Sequence, residues 1–178
     1  MIERIIIAGS GGQGVMLLGK VIAQTAMLEG KQITWFPAYG PEVRGGTSHC
    51  MVTIADQEIG SPYITQADTL IILNHPSLEK FKNKLKKNGL LILNSSLIKI
   101  NEKTKIKIIQ LPFSDIAIKL GNIKVANMVA LGCFAVAKKI IKVKNILKVF
   151  KFIAPAGDSK ILEINQQALE EGQRLNHG

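Results

Sequence analysis

Short apolar runs alternate with helical patterns along most of this chain. The run at residues 4–8 predicts a strand buried on both faces, and residues 13–29 place apolar side chains three or four positions apart, as in a helix. The same alternation predicts further strands at residues 31–36, 48–55, 69–73, 89–93 and 105–111, and further helices at residues 77–87, 114–120, 125–141 and 158–175. This order predicts an α/β fold, a Rossmann-like three-layer sandwich with a mostly parallel sheet and a helical C-terminal part, in one domain over residues 1–178.

Alternation within residues 48–55 assigns the side chains of that strand to two faces. Cys50 belongs to the face that points into the core, and His49 belongs to the opposite face. Asp56 and the residue after it have turn chemistry, which predicts a short hairpin towards Ile59.

The helices of the C-terminal half have recognisable boundaries. Ser114 is predicted to cap one helix and Gly121 to end it. The next predicted helix, residues 125–141, is apolar almost all round, with Asn127 as its polar exception. Two interpretations of Asn127 stay open: a hydrogen bond at the start of the helix, or a contact with a ligand.

A glycine-rich turn joins the first predicted strand to the first predicted helix. Gly9, Gly11 and Gly14 have the G-x-G-x-x-G spacing. Glycine reaches backbone angles that other residues avoid, and it lets a ligand touch the main chain. Free N–H groups and the positive end of the helix would then face an anion such as a phosphate. The spacing alone occurs in many turns, but its position between a strand and a helix strengthens the prediction.

The end of the second predicted strand argues against a nicotinamide dinucleotide. Folds that bind such a cofactor place an acidic residue there to hold the ribose hydroxyls. Here the strand ends at Phe36 and Pro37, and Glu42 lies too far along the loop to substitute.

A second loop, residues 39–48, is also rich in glycine and proline. An ordinary surface loop would have this turn chemistry. Arg44 beside Gly45 and Gly46 would equally suit a backbone nest with a cationic clamp. Contact with a ligand and contact with a partner chain are both open interpretations of this loop.

Polar residues follow several of the predicted strands. Ser10, Tyr39, Asn74 and Asn94 each stand at a strand end. If these strands are parallel, the four residues gather at one edge of the sheet, where open α/β sheets bind ligands.

The charge of the chain is strongly positive, with a formal net charge of +10 and a pI of about 9.7. Almost all of the basic residues are lysines, and aromatic residues make up 5% of the chain. Nucleic-acid readers usually add arginines and stacking aromatics, so charge alone motivates that class. The lysines are either a compositional habit or an attraction to acidic partners and phosphorylated ligands.

The two cysteines, Cys50 and Cys133, are far apart and form no C-x-x-C pair. They are interpreted as reduced core thiols, and the chain by itself is expected to hold neither zinc nor an iron–sulfur cluster. The first residues lack the pattern of a signal peptide, and the apolar stretch at residues 128–137 is too short to cross a bilayer. A cytoplasmic protein is expected.

The two glycine-rich segments together resemble one family, the gamma subunit or gamma domain of the 2-oxoacid:ferredoxin oxidoreductases. The likeness rests on residues 9–14 and 39–48 and leaves only the last helix weakly matched. It extends through Ile59, Pro62, Ala67-Asp68, Asn94-Ser95-Ser96, Gly121-Asn122 and Asn127-Met128.

The resemblance implies a supporting role in a larger enzyme. Enzymes of this family decarboxylate a 2-oxo acid on thiamine diphosphate, reduce ferredoxin through iron–sulfur clusters and form an acyl-coenzyme A. It implies that thiamine diphosphate and the clusters belong to partner subunits (alpha, beta and delta) and that the chain meets ferredoxin through the complex. The chain is most like the gamma subunits of 2-oxoglutarate or pyruvate enzymes, and 2-oxoglutarate is the expected substrate. No nucleic acid, membrane, metal or catalytic residue is expected for this chain, and the isolated chain is not expected to be catalytic.

The resemblance also implies coenzyme A binding by the gamma component. The residues predicted to contribute are Gly9, Ser10, Gly11, Gly12, Gln13, Gly14, Tyr39, Arg44, Gly45, Gly46, Thr47, Ser48 and Asn127. The small subunit of indolepyruvate ferredoxin oxidoreductase is a near alternative. A stand-alone Rossmann nucleotide-binding regulator is an alternative from another class.

Overall fold

A computed structural model of the protein describes residues 1–38, 47–100, 105–153 and 159–174. Six strands form one sheet in the order β2-β3-β1-β4-β5-β6. The strands are β1 (Ile2–Ser10), β2 (Gln32–Pro37), β3 (Thr47–Ala55), β4 (Ala67–Ile72), β5 (Leu85–Asn94) and β6 (Lys107–Leu111). The α-helices are α1 (Val15–Leu28), α2 (His75–Phe81), α3 (Phe113–Lys119), α4 (Ala126–Lys138), α5 (Val143–Ile153) and α6 (Ser159–Arg174). Short 3₁₀ turns cover Lys82–Lys84 and Ile123–Val125.

The sheet is mixed, with one strand running against the others. β1, β4, β5 and β6 pair in parallel, whereas β3 is antiparallel to both β1 and β2. β2 therefore runs in the same direction as β1. As a result, the connection from β2 to β3 leaves and returns at the carboxyl edge of β1, the edge that carries the glycine-rich turn.

Two hydrophobic cores lie on the two faces of the sheet. The larger one packs α1, α3, α4, α5 and α6 against one face, and the smaller one packs α2 against the other. Cys50 lies in the larger core and its neighbour Met51 in the smaller one. The His49 ring is 4.8 Å from the Phe81 ring between centroids, on the α2 side. The predicted layers and the predicted faces of β3 are confirmed.

The predicted hairpin after β3 is wrong. Residues 56–66 contain no strand, and Ile59 pairs with none. β3 already has β1 on one side and β2 on the other, so it offers no free edge for a hairpin partner. Instead, the Asp56 carboxylate accepts hydrogen bonds from the Met1 amino group at 2.6 Å and from Lys31 Nζ at 2.5 Å.

The start of α3 also differs from the prediction. The helix begins at Phe113 directly after Pro112, so Ser114 lies inside its first turn and is not the cap. The Ser114 hydroxyl oxygen accepts a hydrogen bond from Asn94 Nδ2 at 2.8 Å instead. Gly121 ends this segment with a φ of 92°, as predicted.

Two other predicted helices are shorter in the structure. α4 ends at Lys138 because Lys139 adopts a left-handed φ of 54°, and α5 is a separate helix. The segment predicted as residues 77–87 is α2 followed by a 3₁₀ turn, and β5 begins at Leu85. No described helix has the length and apolar character needed to span a bilayer.

Helices α4 and α6 cross at two glycines. A Cβ added to Gly132 would lie less than 3.0 Å from the carbonyl oxygen of Leu169. A Cβ added to Gly172 would be equally close to the carbonyl oxygen of Val129. The two helix backbones are therefore in direct contact, and this closeness fixes α6 against the core.

A buried carboxylate ties the end of α4 to the start of β1. Glu3 is 6% exposed, and one of its oxygens accepts a hydrogen bond from the Thr69 hydroxyl at 2.6 Å. The other oxygen lies 2.9 Å from Lys138 Nζ. Both oxygens of the buried carboxylate thus have partners, as buried charges require.

Both cysteine thiols are expected to be inert in the folded protein. Burial raises the pKa of Cys50 to about 12, against a smaller lowering by the Trp35 side chain, and burial raises the pKa of Cys133 to about 12. Because the thiolate is the reactive form, a thiol reagent such as Ellman's reagent should modify neither cysteine at mildly alkaline pH. The same measurement in concentrated guanidinium chloride should release both thiols. Rapid modification of native protein would contradict the buried positions.

Candidate functional site

The turn between β1 and α1 is held in shape by Gln13. Its Oε1 accepts a hydrogen bond from Ser10 N at 2.6 Å, and its backbone N donates to Ser10 O at 3.2 Å. Its Nε2 donates to the carbonyl oxygen of Leu73, just after β4, at 3.4 Å. The Gln13 side chain therefore folds back over the turn and fastens it to the neighbouring strand.

The glycines of this turn have different physical roles. A Cβ on Gly9 would lie 2.6 Å from Gln13 Oε1, so the packing there has no room for a side chain. Gly12 and Gly14 have φ values of 87° and 72°, which cost an L-residue about 1–2 kcal/mol. A Cβ on Gly12 would meet nothing within 4 Å. Gly12 therefore leaves the turn open towards the outside.

The N-terminus of α1 has the features of an anion-binding helix end. The helix has no side-chain cap and no acidic residue in its first turn. Within the described part of the chain, no group accepts a hydrogen bond from the amides of Gly11, Gly12 or Gly14. Free amides at the positive end of a fourteen-residue helix make a site that a phosphate oxygen fits.

A cavity of about 80 Å³ opens beside this turn, between the ends of β4 and β5 and the start of α4. This volume exceeds what a single water needs. Its lining residues are Gly12, Gln13, Leu73, Asn94, Ser114, Ile123, Lys124 and Ala126. Lys124 brings a positive charge to the cavity and is not among the residues predicted from the sequence. The turn signal of Gly121 and Asn122 could have indicated it, since Lys124 N donates to Asn122 Oδ1 at 3.0 Å.

The inner wall of the cavity is a set of fixed hydrogen bonds around Asn94. Asn94 Nδ2 donates to the carbonyl oxygen of Leu73 at 3.2 Å and to the Ser114 hydroxyl at 2.8 Å. Asn94 Oδ1 accepts from Ser114 N at 3.3 Å. Asn94 is 1% exposed, so it serves as a rigid brace and not as a mobile surface group.

Asn74 links the other two strand ends. Its Nδ2 donates to the Ser10 hydroxyl, and its Oδ1 accepts from Ser77 N at 3.1 Å. Ser10, Asn74 and Asn94 thus lie together at the carboxyl ends of β1, β4 and β5, which confirms that part of the predicted convergence. Tyr39, the fourth predicted member, lies outside the described residues.

Asn127 stands behind the turn. The side chain is 2% exposed, and its Nδ2 donates to the carbonyl oxygen of Gly14 at 3.3 Å. It therefore connects α4 to the start of α1, and it bonds the turn rather than its own helix. A direct contact between Asn127 and a ligand stays a prediction.

The described end of the second loop lies directly beside the first turn. In the β1–β3 pairing, Thr47 stands opposite Ser10, and Ser48 stands opposite Gly9. The loop residues Arg44, Gly45 and Gly46, like Tyr39, lie outside the described residues. The second loop thus joins β3 beside the β1–α1 turn.

No metal centre is found among the residues that the structure describes. There, no three His, Cys, Asp or Glu side chains form a group that could hold a metal ion. The chemistry that this edge of the sheet can perform is binding: it offers amides, a lysine and fixed amide side chains. The described residues of this edge include no nucleophile paired with a base.

These features define a class: a Rossmann-like α/β domain with a glycine-rich turn at the carboxyl edge of its sheet, where open α/β sheets bind ligands. The family model described as pyruvate ferredoxin/flavodoxin oxidoreductase matches residues 4–175, and the chain belongs to that family. Membership of this oxidoreductase family confirms the resemblance predicted from the two glycine-rich segments.

Two curated relatives from Methanothermobacter marburgensis differ in how much of their length is matched. The chain is 34% identical over 183 residues to its 2-oxoglutarate synthase subunit KorC, covering 98% of this chain and 97% of the relative. It is 36% identical over 170 residues to its ketoisovalerate oxidoreductase subunit VorA, covering 95% of this chain and 35% of the relative. The chain thus spans about a third of the length of that relative.

Solved structures share the fold. The gamma subunit of keto/oxoacid ferredoxin oxidoreductase from Geobacter sulfurreducens has a TM-score of 0.85 and 28% identity, with 98% of both chains covered. The 2-oxoglutarate:ferredoxin oxidoreductase from Magnetococcus marinus, solved with 2-oxoglutarate, coenzyme A and succinyl-CoA bound, has a TM-score of 0.90 and 21% identity. That match covers 99% of this chain and 31% of the other. The predicted Rossmann-like fold is confirmed.

Proposed function

We propose that this chain is the gamma component of a 2-oxoacid:ferredoxin oxidoreductase and that its glycine-rich turn binds a phosphate group of coenzyme A. The observation that carries the proposal is the uncapped start of α1, where the amides of Gly11, Gly12 and Gly14 have no acceptor among the described residues. The relatives support the enzyme class, and the Magnetococcus marinus enzyme supports coenzyme A as the ligand. Lys124, beside the turn, adds the positive charge that a phosphate needs.

In this proposal the chain binds and orients, while the redox chemistry occurs on other polypeptides. Thiamine diphosphate and iron–sulfur clusters on alpha, beta and delta subunits supply decarboxylation and electron transfer to ferredoxin. The two cysteines of this chain do not fit an iron–sulfur cluster, because both thiols are buried and protonated. The chain's own task is to hold the phosphate end of coenzyme A so that the thiol end reaches the companion site.

We propose 2-oxoglutarate as the substrate of the assembled enzyme. The 2-oxoglutarate synthase subunit of Methanothermobacter marburgensis supports this substrate, since it is 34% identical to this chain and aligns with it over 97% of its own length. The test is to purify the complex through a tag on this chain and to measure ferredoxin reduction with 2-oxoglutarate, pyruvate and ketoisovalerate. A clear preference for either of the latter two would contradict the substrate assignment.

The variant Gly12→Ala tests the role of the turn. A methyl group at this open position would stand where the phosphate approaches, and the φ of 87° would strain the amides. We expect the KM for coenzyme A of the assembled enzyme to rise about tenfold or more, equivalent to about 1.4 kcal/mol. Initial rates at varied coenzyme A concentration measure the effect.

Gly30→Ala is the matched control. Gly30 has a φ of 77° and also has nothing within 4 Å of an added Cβ, but it follows the other end of α1. The two variants should lose similar stability, and only Gly12→Ala should change coenzyme A saturation. Unchanged saturation in a stable Gly12→Ala enzyme would remove the phosphate role, whereas a complex without 2-oxoacid turnover would remove the enzyme assignment.

A further inference from the structure

Helices α1 and α5 leave an apolar groove open to solvent, away from the glycine-rich turn. The two helices pack against each other, and the groove between them has a volume of about 410 Å³. We name it the α1–α5 face; it is lined by Gln24, Met27, Leu28, Lys148, Val149 and Phe152. Nothing in the coenzyme A proposal uses this surface.

The apolar side chains of the α1–α5 face are unusually exposed. Met27 is 59% exposed, Leu28 is 56% exposed and Phe152 is 88% exposed. Single exposed apolar residues are common, but three large ones around one groove are typical of a surface that another molecule covers. Burying such side chains against a partner is favourable by about 25 cal/mol per Å² of apolar area.

The groove continues along α1 towards β2. A second depression of about 170 Å³ shares Gln24 and Met27 with the first and reaches Ile33 and Trp35 on the edge strand. The apolar surface is therefore a continuous strip across α1. A strip of this kind suits an extended ridge of apolar side chains better than it suits one small ligand.

Lysines border the other end of the α1–α5 face. A hollow of about 580 Å³ shares Leu28 and Lys148 with the groove. Its basic lining residues are Lys31, Lys139, Lys142, Lys144 and Lys148. Apart from Lys31, these lysines form no ion pair with any residue that the structure describes.

The Glu29 carboxylate in that hollow already accepts hydrogen bonds within the chain. Of the described lining residues, Glu29 is the acidic one. Its Oε1 accepts hydrogen bonds from Lys142 N at 2.7 Å and from Asn145 Nδ2 at 2.9 Å, at the start of α5. These donors are uncharged, so Glu29 offsets one lysine charge, and the other lysines of the hollow leave a net positive charge for an external partner.

We propose that the α1–α5 face docks an acidic protein surface with an apolar ridge at its centre. Under the proposed function, on which this identification rests, that surface belongs to a companion subunit of the oxidoreductase. A second copy of the chain fits less well, because both copies would bring the same lysines and a net charge of +10. A nucleic acid fits less well, because apolar side chains and not arginines occupy the groove.

Met27→Glu tests the apolar part. Met27 is 59% exposed, so glutamate should not disturb folding, yet it would place a charge within the interface. We expect at least tenfold weaker association between the tagged chain and its purified companion subunits, measured by titration or interferometry. Ile118→Glu on α3 is the matched control, since Ile118 is also 59% exposed and α3 packs on α4 and α6. It should leave the association unchanged.

Lys148→Glu tests the basic part. Charge reversal beside the groove should slow association and flatten its dependence on salt, because the partner surface is acidic. Lys119→Glu, an exposed lysine on α3, makes the same change in net charge elsewhere and should have a smaller effect. If Lys148→Glu and Lys119→Glu had equal effects, the lysines beside the groove would act only through the net charge of the chain. That result would contradict an acidic partner surface at the α1–α5 face.

The outcomes separate this proposal from the proposed function. Full subunit content and normal 2-oxoacid turnover in the Met27→Glu enzyme would overturn the docking proposal and leave the function intact. A complex without 2-oxoacid activity would overturn the function, while release of an identified acidic partner by Met27→Glu would still support docking. Self-association of the purified chain that Met27→Glu abolishes, or nucleic-acid binding that it weakens, would assign the face to those occupants instead.

Discussion

Gly172→Ala is expected to lower the free energy of unfolding by about 2–3 kcal/mol, although alanine is the better helix former. The new Cβ would lie less than 3.0 Å from the carbonyl oxygen of Val129 and only 3.0 Å from Cys133 N. Both are backbone atoms of α4, so relief requires one helix to shift. Urea unfolding followed by circular dichroism measures the change.

The sign of this effect is diagnostic. Without the clash, glycine to alanine inside α6 would raise stability by about 1 kcal/mol. Gly132→Ala presses on the same crossing from α4, so the two substitutions together should cost less than the sum of their separate effects. Glu170→Ala on the exposed side of α6 is the control and should change stability by less than about 0.5 kcal/mol. A stabilised Gly172→Ala protein would show that the helices are not in backbone contact.

Gly14→Ala is expected to be the most damaging single change in the glycine-rich turn. It would force an L-residue to a φ of 72° and would place its Cβ less than 3.0 Å from the Asn127 side chain. The two terms together predict a loss of about 2–4 kcal/mol of stability. Because the start of α1 would move with the turn, coenzyme A saturation of the assembled enzyme should also suffer.

A second substitution separates the two causes. Asn127→Ala removes the obstructing amide together with its hydrogen bond to Gly14 O. In the Gly14→Ala background, Asn127→Ala should restore the part of the unfolding free energy that the clash removes. The cost of the left-handed φ should remain. Denaturant titration of the wild type, both single variants and the double variant measures this coupling. Strict additivity of the two substitutions would mean that Asn127 does not press on the turn.

Local patterns were enough to predict most of the fold. The apolar run at residues 4–8, the glycines after it and the helical spacing that follows predict the first β–α unit, and the structure has it as β1 and α1. Parallel strands buried on both faces carry a strong signal, since they are apolar throughout. Gly121 marked its helix end correctly, because a φ of 92° is a local requirement.

The predictions were wrong where contacts between residues far apart in the sequence determine the local structure. Alternation identified β3 as a strand, but its direction and its position between β2 and β1 depend on residues far away in the sequence. Once β3 is enclosed on both sides, a hairpin at Asp56 has nothing to pair with. Similarly, Ser114 has the chemistry of a cap, but the side chain of Asn94, twenty residues earlier, engages it instead.

The candidate site was predicted in part for the same reason. The spacing of the glycines in the β1–α1 turn is enough to predict the conformation of that turn, so its residues could be named from the sequence. Lys124 and the brace from Asn127 come from a segment more than a hundred residues away, and only the packing of α4 brings them to the turn. The residues around Lys124 and Asn127 in the sequence indicate the start of a helix, but they do not indicate that this helix start packs against the β1–α1 turn.

Because β3 is reversed, the chain leaves β2 and enters β3 at the same edge of the sheet. The two ends of the β2–β3 connection are fastened together where Ala38 N donates to His49 O at 3.0 Å, so residues inserted beyond that clasp need not disturb the strands below it. The β1–α1 turn is held by other contacts, through Gln13 and Asn127. Homologous proteins could therefore diverge in the length and composition of one segment while retaining the other intact.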